Sequence, residues 1–559
     1  MEHQLLQATT ASGTPVDTAS GPGNQSENPV HTTLSNQPEP LQHNFEPEIV
    51  LSEEQKAILG LVKAGKSVFF TGSAGTGKSV LLREIIKLCC MMYERDRVGV
   101  TAATGIASIN IGGCTLHSWA GIGLGKGDPL VIARRLIGHG DYLKKRPIED
   151  RNNDPVDQDT HTTDRWKSAR VLIVDEISMI DGMLFDKLEF IARYIRRNPQ
   201  PFGGIQLILS GDFYQLPPVP DHIDGVPQPA TFCFDAHSWP DCVGQAIALT
   251  KVFRQRDHMF VDMLNEMRLG TLSQSTIMAF RGLDRRVVYK DDIEPTDLFP
   301  TKREVYGANY TRLEQLLGEA KSFPAADQPG TDNEGFLISV ERMDRLLEQQ
   351  AIAPKRINLK IGAQVMLITN IVQGVLVNGS VGKVTDFMTV QAALLRGIES
   401  GVINRTERGE PAPERTRNGG LSPVPPHLLK SGNLWPCVRF ENGRSLLCIP
   451  CMFEVVNAQG RIEASREQVP LILAWAISIH KSQGQTLKRV RVNLKRIFEK
   501  GQAYVALSRA TSMDTLEVKE FEPKKVMAHP RVLDWMGECP PVSPDQLVAV
   551  NGHATHHNL

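Results

Sequence analysis

The sequence predicts an α/β protein built on parallel sheets, with an additional β-rich insertion. Three observations indicate this class. Residues 67–82, SVFFTGSAGTGKSVLL, are strand-like, then rich in glycine, then helix-like. Strand-like and helix-like runs alternate around that segment, as in parallel sheets with crossover helices. Residues 358–469 instead contain short alternating runs separated by glycine turns, which is typical of a small β-barrel.

Length and composition indicate a multidomain globular protein. A chain of 559 residues is too long to fold around a single hydrophobic core, and 41% of its residues are hydrophobic. With 62 Lys and Arg against 63 Asp and Glu, the net charge is -1, so a nucleic-acid partner would need a local basic groove. No apolar run is long enough to span a membrane. The first 50 residues contain no Lys or Arg, which argues against a mitochondrial presequence, and no secretory signal is visible.

The nine cysteines predict reduced thiols in an intracellular protein, because they show no regular framework of spacings. Cys448 and Cys451 form a C-x-x-C pair with Cys437 upstream. A zinc site needs four ligands, and no fourth candidate stands at a recognisable spacing. Buried strand cysteines are therefore favoured over a zinc site.

The chain begins with a polar segment and then a helix. Residues 1–48 are rich in Gln, Asn, Ser, Thr and Pro, so we expect a disordered tail. A helix is predicted from residue 51, with Ser52 as its N-cap and Gln55 one turn further on. By composition alone, Gln55 is a solvated helical residue.

The glycine-rich loop predicts binding of a nucleoside triphosphate, because it matches G-x-x-x-x-G-K-[ST] after a strand. Loop amides and the following helix N-terminus converge on phosphate oxygens. Lys78 is expected to reach the β- and γ-phosphates, and the Ser79 hydroxyl to ligate Mg²⁺. The alternative is a glycine-rich turn without a ligand. The expected ATP-binding residues are Gly72, Ser73, Ala74, Gly75, Thr76, Gly77, Lys78 and Ser79.

The elements that follow continue the α/β pattern. A second strand begins near residue 98, and residues 121–166 are polar, which predicts a surface insertion that is largely loop. The alternation restarts near residues 246–253 and predicts a second α/β unit. Residues 395–431 are rich in Pro, Gly, Arg and Glu and predict a disordered loop. The chain returns to α/β character at 470, and a disordered tail is expected after residue 536.

An acidic pair at the end of a buried strand predicts hydrolysis. Asp175 and Glu176 follow residues 171–174, VLIV, at the strand end where open α/β sheets bind ligands. Asp175 is expected to hold Mg²⁺, and Glu176 to deprotonate the attacking water. Phosphoryl transfer also needs positive charge, for which Arg254 and Arg509 are candidates. Taken singly, each of these residues also fits an ordinary strand end or a surface arginine.

The order of the motifs resembles the petite integration frequency (Pif) helicase family, in the superfamily-one branch that moves 5′ to 3′ and includes RecD. The resemblance covers residues 51–516. The segment DKLEFIARYIRRNPQPFGGIQLILSGDFYQLPPV is especially specific to it. The other matching blocks are GSAGTGKS, VTAATGIAS, LHSWAGIG, VLIVDEISMID, LTKVFRQ, LAWAISIHKSQGQTL and GQAYVALSRATS.

The resemblance implies two RecA-like P-loop motor domains with parallel sheets, a small surface insertion in the first and an SH3-like β-barrel insertion in the second. The expected boundaries are a tail at 1–48, the first motor at 49–225, the second motor at 226–375 and 469–535, the barrel at 376–468, and a tail at 536–559.

The resemblance also implies roles for single residues. Gln55 becomes an adenine reader, Gln215 a γ-phosphate sensor, and Gly484 a further ATP contact, while Arg254 and Arg509 come from the second motor. Trp119 fits either the core or base stacking. Asn493 departs from the family pattern, since relatives commonly have an acidic residue there. The implied DNA contacts are Thr104, Gly105, His117, Tyr214, His480, Lys481, Gln502 and Tyr504.

The implied function is an ATP- and Mg²⁺-dependent 5′-to-3′ DNA helicase in replication, repair, recombination or telomere maintenance. Its expected partners are single-stranded DNA and tailed or structured duplexes, with no membrane, and a monomer is expected in solution. Family members serve nuclear and mitochondrial genomes. The expected location is therefore the nucleus, with the mitochondrion as the alternative. Two alternatives are the helicase part of a mobile-element replication protein and an ATP-gated binding module without unwinding activity.

Overall fold

The computed structural model describes residues 50–143, 160–332, 336–400 and 424–542, except positions 124, 221, 224–225, 228–230, 256, 352, 372–374, 425, 430 and 457–460. The tail predicted at 1–48, the chain beyond 542 and most of the loop predicted at 395–431 lie outside the described residues. Among the described helices, none combines the length and the apolar character needed to cross a membrane.

The first unit is a parallel sheet with helices on both faces. Its elements are α1 (Glu53–Lys63), β1 (Val68–Gly72), α2 (Lys78–Met92), β2 (Val98–Ala102), α3 (Gly105–Asn110), β3 (Cys114–Thr115), α4 (Leu116–Ala120), α5 (Pro129–Leu143), α6 (Thr160–Ser168), β4 (Val171–Asp175), α7 (Gly182–Arg196), β5 (Gln206–Ser210), β6 (His222–Ile223), β7 (Val226–Pro227), α8 (Trp239–Cys242) and β8 (Ile247–Leu249). The strand order is β3-β2-β4-β5-β1-β8, and β6 pairs with β7 outside this sheet. Strands β1, β2, β4 and β5 are buried along their whole length, because helices cover both faces.

The second unit begins after β8. Its first elements are α9 (His258–Leu269), α10 (Gln274–Gly282), β9 (Thr296–Phe299) and α11 (Lys302–Gln315). Phe260, Met263 and Met267 of α9 pack in a core that is separate from the cores of the first sheet.

A β-rich part follows α11. It contains β10 (Lys321–Pro324), β11 (Ala326–Pro329), α12 (Val340–Gln350), β12 (Arg356–Leu359), β13 (Gln364–Leu367), β14 (Val381–Met388), α13 (Val390–Leu395), β15 (Glu399–Ser400), α14 (Pro426–Leu429), β16 (Trp435–Phe440), β17 (Ser445–Leu447), β18 (Cys451–Val456), β19 (Ile462–Gln468) and β20 (Leu471–Leu473). Where the sequence predicted one barrel, these strands are distributed over three sheets, ordered β15-β17-β16-β14-β13-β20, β11-β19-β18 and β10-β12.

The chain then completes the second parallel sheet. The remaining elements are β21 (Ala476–Ser478), α15 (Ile479–Ser482), β22 (Val490–Asn493), α16 (Gln502–Leu507), β23 (Leu516–Lys519) and α17 (Pro530–Glu538). The strand order is β21-β9-β22-β23, with every pairing parallel. The α/β class with two parallel sheets and a β-rich insertion is therefore confirmed.

The structure departs from the predicted boundaries at three places. Strand β8, assigned to the second unit, pairs with β1 of the first sheet, with Gly72 opposite Leu249. The β-rich part begins by Lys321 rather than 376. The predicted C-terminal tail is structured up to Val542, whose carbonyl oxygen accepts a hydrogen bond from the Ala248 amide at 2.9 Å. Each error arose because the partner of the segment is distant in sequence.

Other predictions concerned the insertion and single side chains. The described residues of the insertion at 121–166 include helix α5 and most of helix α6, and positions 144–159 lie outside the described residues. Trp166 of α6 is fully buried and packs against Trp119 at a ring-centroid distance of 4.7 Å. Trp119 is thus a core residue and does not stack on bases. Cys437, Cys448 and Cys451 are buried, and the described residues form no cluster suited to a metal ion.

The final helix, α17, returns from the second sheet to the core of the first unit. Trp535 stacks on Phe234 with centroids 4.3 Å apart and meets the ring of Phe213 edge-on at 5.5 Å. Arg531 binds Asp235 at 2.7 Å beside this stack. The helix therefore forms a second connection between the two units.

We predict that Trp535→Ala lowers the free energy of unfolding by about 3–5 kcal/mol, because it leaves a cavity among aromatic rings. Chemical denaturation followed by circular dichroism measures the change. Leu533→Ala on the same helix is the control, since Leu533 is 40% exposed and its loss should cost less than about 1 kcal/mol. Similar losses in both variants would contradict the packing of α17.

Candidate active site and nucleic-acid interface

The glycine-rich loop joins β1 to α2, as the sequence predicted. Gly75 and Gly77 have positive φ angles of 90° and 79°, which favour glycine. At Gly72, a Cβ atom would lie 2.7 Å from the Leu249 carbonyl oxygen, because β8 runs beside the loop. The loop therefore depends on glycine, and it ends at a helix N-terminus that favours anions.

Lys78 is held inside this loop. Its ammonium group donates hydrogen bonds to the carbonyl oxygens of Gly72 at 2.7 Å and Ser73 at 3.2 Å. Burial lowers the pKa of Lys78, while the charges of Asp212 and Glu176 oppose that shift. Among the described residues, Lys78 has no carboxylate in direct contact. Its ammonium group can therefore exchange carbonyl oxygens for phosphate oxygens.

The acidic pair stands at the carboxyl end of β4. Glu176 is in the left-handed region with a φ of 54°, a strained conformation for this residue type. Its amide donates to Asp175 Oδ1 at 3.0 Å, and its Oε2 accepts a hydrogen bond from Gln483 Nε2 at 3.0 Å. The Glu176 side chain is thus directed towards the second unit, to which Gln483 belongs.

The site has the chemistry of a divalent-cation site. Burial, and then repulsion from Glu176, raises the pKa of Asp175 well above its ordinary value. A cation beside Asp175 would remove this cost of burying its charge. The predicted ligands are a carboxylate and the hydroxyl of Ser79 at the start of α2, and Mg²⁺ prefers such oxygen atoms. The two residues therefore fit the group implied by the sequence.

Arg254 and Arg509 converge on the loop and the acidic pair. A Cβ atom at Gly75 would lie 2.7 Å from the Cβ of Arg254. Arg254 Nη1 donates to the Ser508 carbonyl oxygen at 3.2 Å, and Arg509 Nε donates to the Val505 carbonyl oxygen at 2.8 Å. Burial, and then the charge of Arg254, lowers the pKa of Arg509 to about 9. Neither guanidinium has a carboxylate partner among the described residues, so both are available to an anion.

Gln215 lies beside an ion pair that the sequence analysis missed. The side-chain Nε2 of Gln215 donates a hydrogen bond to Asp212 Oδ2 at 3.5 Å. Arg268 of α9 binds both oxygens of the fully buried Asp212, with contacts from 2.8 to 3.2 Å. Burial alone would raise the pKa of Asp212, but Arg268 outweighs it and lowers that pKa. No local sequence pattern indicated that Arg268, a single arginine on an amphipathic helix, pairs with Asp212.

Three residues that were predicted to contact DNA have buried side chains in this structure. Tyr504 is 2% exposed, and its hydroxyl accepts a hydrogen bond from the Ala74 amide at 2.7 Å. Gln502 has no exposed surface. Tyr214 is 6% exposed and lies under the Arg268 guanidinium, 4.3 Å from the ring centroid. Tyr504 and Tyr214 lie at the contact between the two units, since Tyr504 bonds the phosphate loop and Arg268 of α9 covers Tyr214.

The predicted adenine reader is engaged elsewhere. Gln55 Oε1 accepts a hydrogen bond from the Ser52 amide at 3.0 Å, and its Nε2 donates to the Gly77 carbonyl oxygen at 3.5 Å. Gln55 therefore caps α1 and supports the phosphate loop. Phe253, another residue that the sequence analysis missed, is half exposed beside Gly77 and presents a ring suited to a base. Gly484 faces Glu176, with its hypothetical Cβ 4.0 Å from Oε1.

The other DNA candidates lie near the cleft between the two sheets. Thr104 immediately precedes α3, where its hydroxyl oxygen accepts a hydrogen bond from the Ala107 amide at 3.2 Å, and Gly105 is the first residue of the helix. Thr104 and His480 line one small cleft together with Glu176. His117 is half buried on α4. The structure therefore brings Thr104 and His480 to the same cleft as Glu176.

Positive charge collects on the second-sheet side of that cleft. His480 and Lys481 follow β21, and Lys302 follows β9, at the same carboxyl edge. Burial, and then the charge of Lys302, lowers the pKa of both His480 and Lys481. His480 Nε2 is 3.9 Å from the nearest carboxylate, that of Glu499. This edge is a local basic surface of the kind that a nucleic-acid partner of a protein with near-neutral net charge would need.

Comparison with known proteins identifies one family. The family model described as PIF1-like helicase matches residues 50–143 and 143–277. A second model, described as the 2B domain of DNA helicase Pif1, matches residues 344–387 of the β-rich part.

Individual relatives cover most of the chain. The ATP-dependent DNA helicase PIF1 of Emericella nidulans is 47% identical over 494 residues, which are 86% of this chain and 62% of that protein. The helicase RRM3 of Saccharomyces cerevisiae is 37% identical, over 90% of this chain and 70% of that protein. The Candida albicans Pif1 crystal structure is 38% identical, with a TM-score of 0.64, and covers 88% of this chain and 99% of that one. The chain thus spans 61–70% of the length of the curated relatives it matches first.

We predict that Arg509→Met preserves or raises stability while ATP turnover falls by a factor of about a thousand or more. Methionine keeps most of the buried volume and removes a buried cation that Arg254 repels, which offsets the lost hydrogen bonds to the Val505 carbonyl oxygen and the Ser508 hydroxyl. ATP affinity should change by no more than a few-fold, because an arginine at this place acts on the transition state. Steady-state kinetics and thermal unfolding measure both effects.

Arg268→Met is the matched control at the same interface. It leaves the buried carboxylate of Asp212 without its partner and should cost about 3–5 kcal/mol of stability. A comparable loss of stability in Arg509→Met would show that Arg509 is a structural rather than a catalytic residue.

Proposed function

The chain belongs to the PIF1-like helicase family, and from that premise we propose that it is an ATP-dependent DNA helicase. It hydrolyses ATP to move 5′ to 3′ along single-stranded DNA and to separate duplex or structured DNA. One structural observation supports the proposal independently of the family relationship. The phosphate loop and Glu176 lie on the first sheet, whereas Arg509 and Gln483 reach them from the second unit. ATP hydrolysis is thereby tied to the relative position of the two units.

In the proposed reaction, ATP occupies the loop between Gly72 and Ser79. Lys78 leaves its carbonyl partners for the β- and γ-phosphates, and the two buried arginines receive the charge that develops on the γ-phosphate. Glu176 takes the proton of the attacking water, held in place by its hydrogen bond with Gln483. Gln215 contacts the γ-phosphate and, through Asp212 and Arg268, transmits its presence to α9.

Ser79 and Asp175 would hold Mg²⁺ in this reaction. When bound there, the cation would supply positive charge for the phosphate oxygens. A cation beside Asp175 would favour its ionised carboxylate, whose pKa is otherwise raised by burial and by Glu176. Metal and nucleotide binding are therefore coupled at this residue.

The proposed path of single-stranded DNA crosses the cleft edge that carries Thr104, Gly105, His117, His480 and Lys481. Hydroxyl, amide and ammonium groups there hold phosphates without reading base sequence. Thr104, Gly105 and His117 come from the first unit, while His480 and Lys481 come from the second. Movement of the units therefore displaces one set of contacts relative to the other.

We further propose that the protein acts as a monomer on single-stranded, tailed or structured DNA in genome maintenance. The named relatives are DNA helicases, which supports action in the nucleus, with the mitochondrion as a second site of action.

A strand-displacement assay on matched duplexes with 5′ or 3′ single-stranded tails tests the proposed function. ATP and Mg²⁺ should support unwinding of the 5′-tailed duplex alone. Lys78→Ala should abolish it, because the phosphates lose their ammonium contact. Equal activity on both tails would refute the direction of movement, and ATP hydrolysis without displacement would refute the helicase.

We predict that Glu176→Gln binds ATP and single-stranded DNA normally but loses turnover by a factor of about 10²–10⁴. Glutamine can still accept the hydrogen bond of Gln483, but it cannot take the proton. Asp175→Asn should additionally weaken Mg²⁺-ATP binding, because it removes charge from the cation site. Equilibrium nucleotide titration alongside steady-state hydrolysis separates the two effects. Equal losses of ATP affinity in these neighbouring variants would mean that Glu176 is not the base.

A further inference from the structure

The outer face of α11 carries exposed aromatic and basic side chains that the proposed reaction does not use. The inner face is fixed to the second sheet, because the Asn309 side chain exchanges hydrogen bonds with both backbone groups of Ala476, at 2.8 and 2.9 Å. Leu313 is buried on the same side. The exposed side chains, which we call the α11 outer face, are Lys302, Arg303, Tyr306 and Tyr310.

The two tyrosines are unusually accessible for aromatic residues. Tyr306 is 72% exposed and Tyr310 is 52% exposed. Their rings are nearly parallel, at 11°, with centroids 6.0 Å apart. Within the part of the chain that the structure describes, neither hydroxyl has a hydrogen-bond partner. An i,i+4 ring pair stabilises a helix only slightly, so packing within α11 does not account for this exposure.

The α11 outer face continues the basic edge of the cleft. Helix α11 begins three residues after β9 ends, and Lys302 is near enough to His480 and Lys481 to lower the pKa of each. Lys302, Tyr306 and Tyr310 are spaced by four residues, which places them in one row along the helix. A strand that follows the edge therefore meets Lys302 first and the tyrosines next.

The charge of this face favours an anionic partner. Lys302 and Arg303 form no ion pair with the described residues, and the helix N-terminus adds positive potential. The nearest carboxylate in sequence, Glu304, is already bound by the Thr301 hydroxyl at 2.7 Å and by Arg496 at 3.4 Å. Single-stranded nucleic acid offers both a phosphate for the cations and a flat base for each ring.

We propose that the α11 outer face is a second contact surface for single-stranded DNA, beyond the edge formed by His480 and Lys481. Phosphates bind Lys302 and Arg303, and one base stacks on each of Tyr306 and Tyr310. The surface is independent of base sequence, because a stacked base is held by its face. This inference rests on the proposed function, since it extends the path of the same strand.

The test compares the affinity of the full chain for thymidine oligonucleotides of about 8 and about 20 nucleotides, measured by fluorescence anisotropy. The double variant Tyr306→Ala, Tyr310→Ala should bind the longer strand at least about tenfold more weakly, because two stacked bases are lost. Binding of the shorter strand, which the edge accommodates by itself, should change by less than about twofold. An unchanged affinity for the longer strand, or an equal loss for both lengths, overturns the proposal.

Two further variants test the stacking chemistry. The double variant Tyr306→Phe, Tyr310→Phe should retain normal affinity, because stacking needs the ring and not the hydroxyl. Tyr194→Ala is the matched control, since Tyr194 is an exposed tyrosine that stacks on Phe190 of α7, centroids 6.0 Å apart. It should leave both affinities unchanged. A loss in the phenylalanine variant equal to that in the alanine variant would overturn the stacking assignment.

Salt dependence separates the two kinds of contact. Lys302→Ala should reduce the slope of log K against log salt by about 0.7, the value for one phosphate contact on a single strand. The tyrosine variants should leave that slope unchanged, and a change in it would overturn the division of roles. If the unmodified protein binds neither oligonucleotide, the proposed function fails as a whole. If it binds both and only the length dependence is missing, this inference alone fails.

Discussion

The buried ion pair between Asp212 and Arg268 joins the two units, and the arrangement of the ATP site depends on it. Asp212 has no exposed surface, so its charge requires a partner, and that partner comes from α9 of the other unit. Arg268 also covers the ring of Tyr214, while the Tyr504 hydroxyl accepts the amide hydrogen of Ala74 in the phosphate loop. The loop is therefore attached to the second unit at its first turn, close to where the triphosphate is expected.

The Asp212–Arg268 ion pair holds the two units together although other charged groups at their interface have no partner of opposite charge in direct contact among the described residues. Burial lowers the pKa of Arg254, burial and then the charge of Arg254 lower the pKa of Arg509, and Asp175 is buried beside Glu176. Each of these groups carries a cost of burial that a phosphate or a divalent cation of opposite charge would reduce. The Asp212 pair holds the two units together around these groups.

The positions of the two units are also limited by chain connectivity. The segment after β8 links them once, and α17 links them again by returning Trp535 to the first core. Both parallel sheets place their carboxyl edges at the same cleft, where Thr104 and His480 meet Glu176. A small displacement at the phosphate loop would therefore move one carboxyl edge relative to the other, as the proposed translocation requires.

The sequence by itself determined the parts of the protein whose chemistry is local. The phosphate loop, the buried strands and the acidic pair at 175–176 each lie within one short segment, and their residue types are dictated by backbone geometry or by ligand chemistry. Only the tertiary structure decided which partner each segment has: Arg268 for Asp212 at a separation of 56 residues, and Tyr504 for Ala74 at a separation of 430. Burial patterns show that a side chain is inside but not against which unit, so β8 was assigned to the second sheet. Long-range packing supplies that information, and no local pattern contains it.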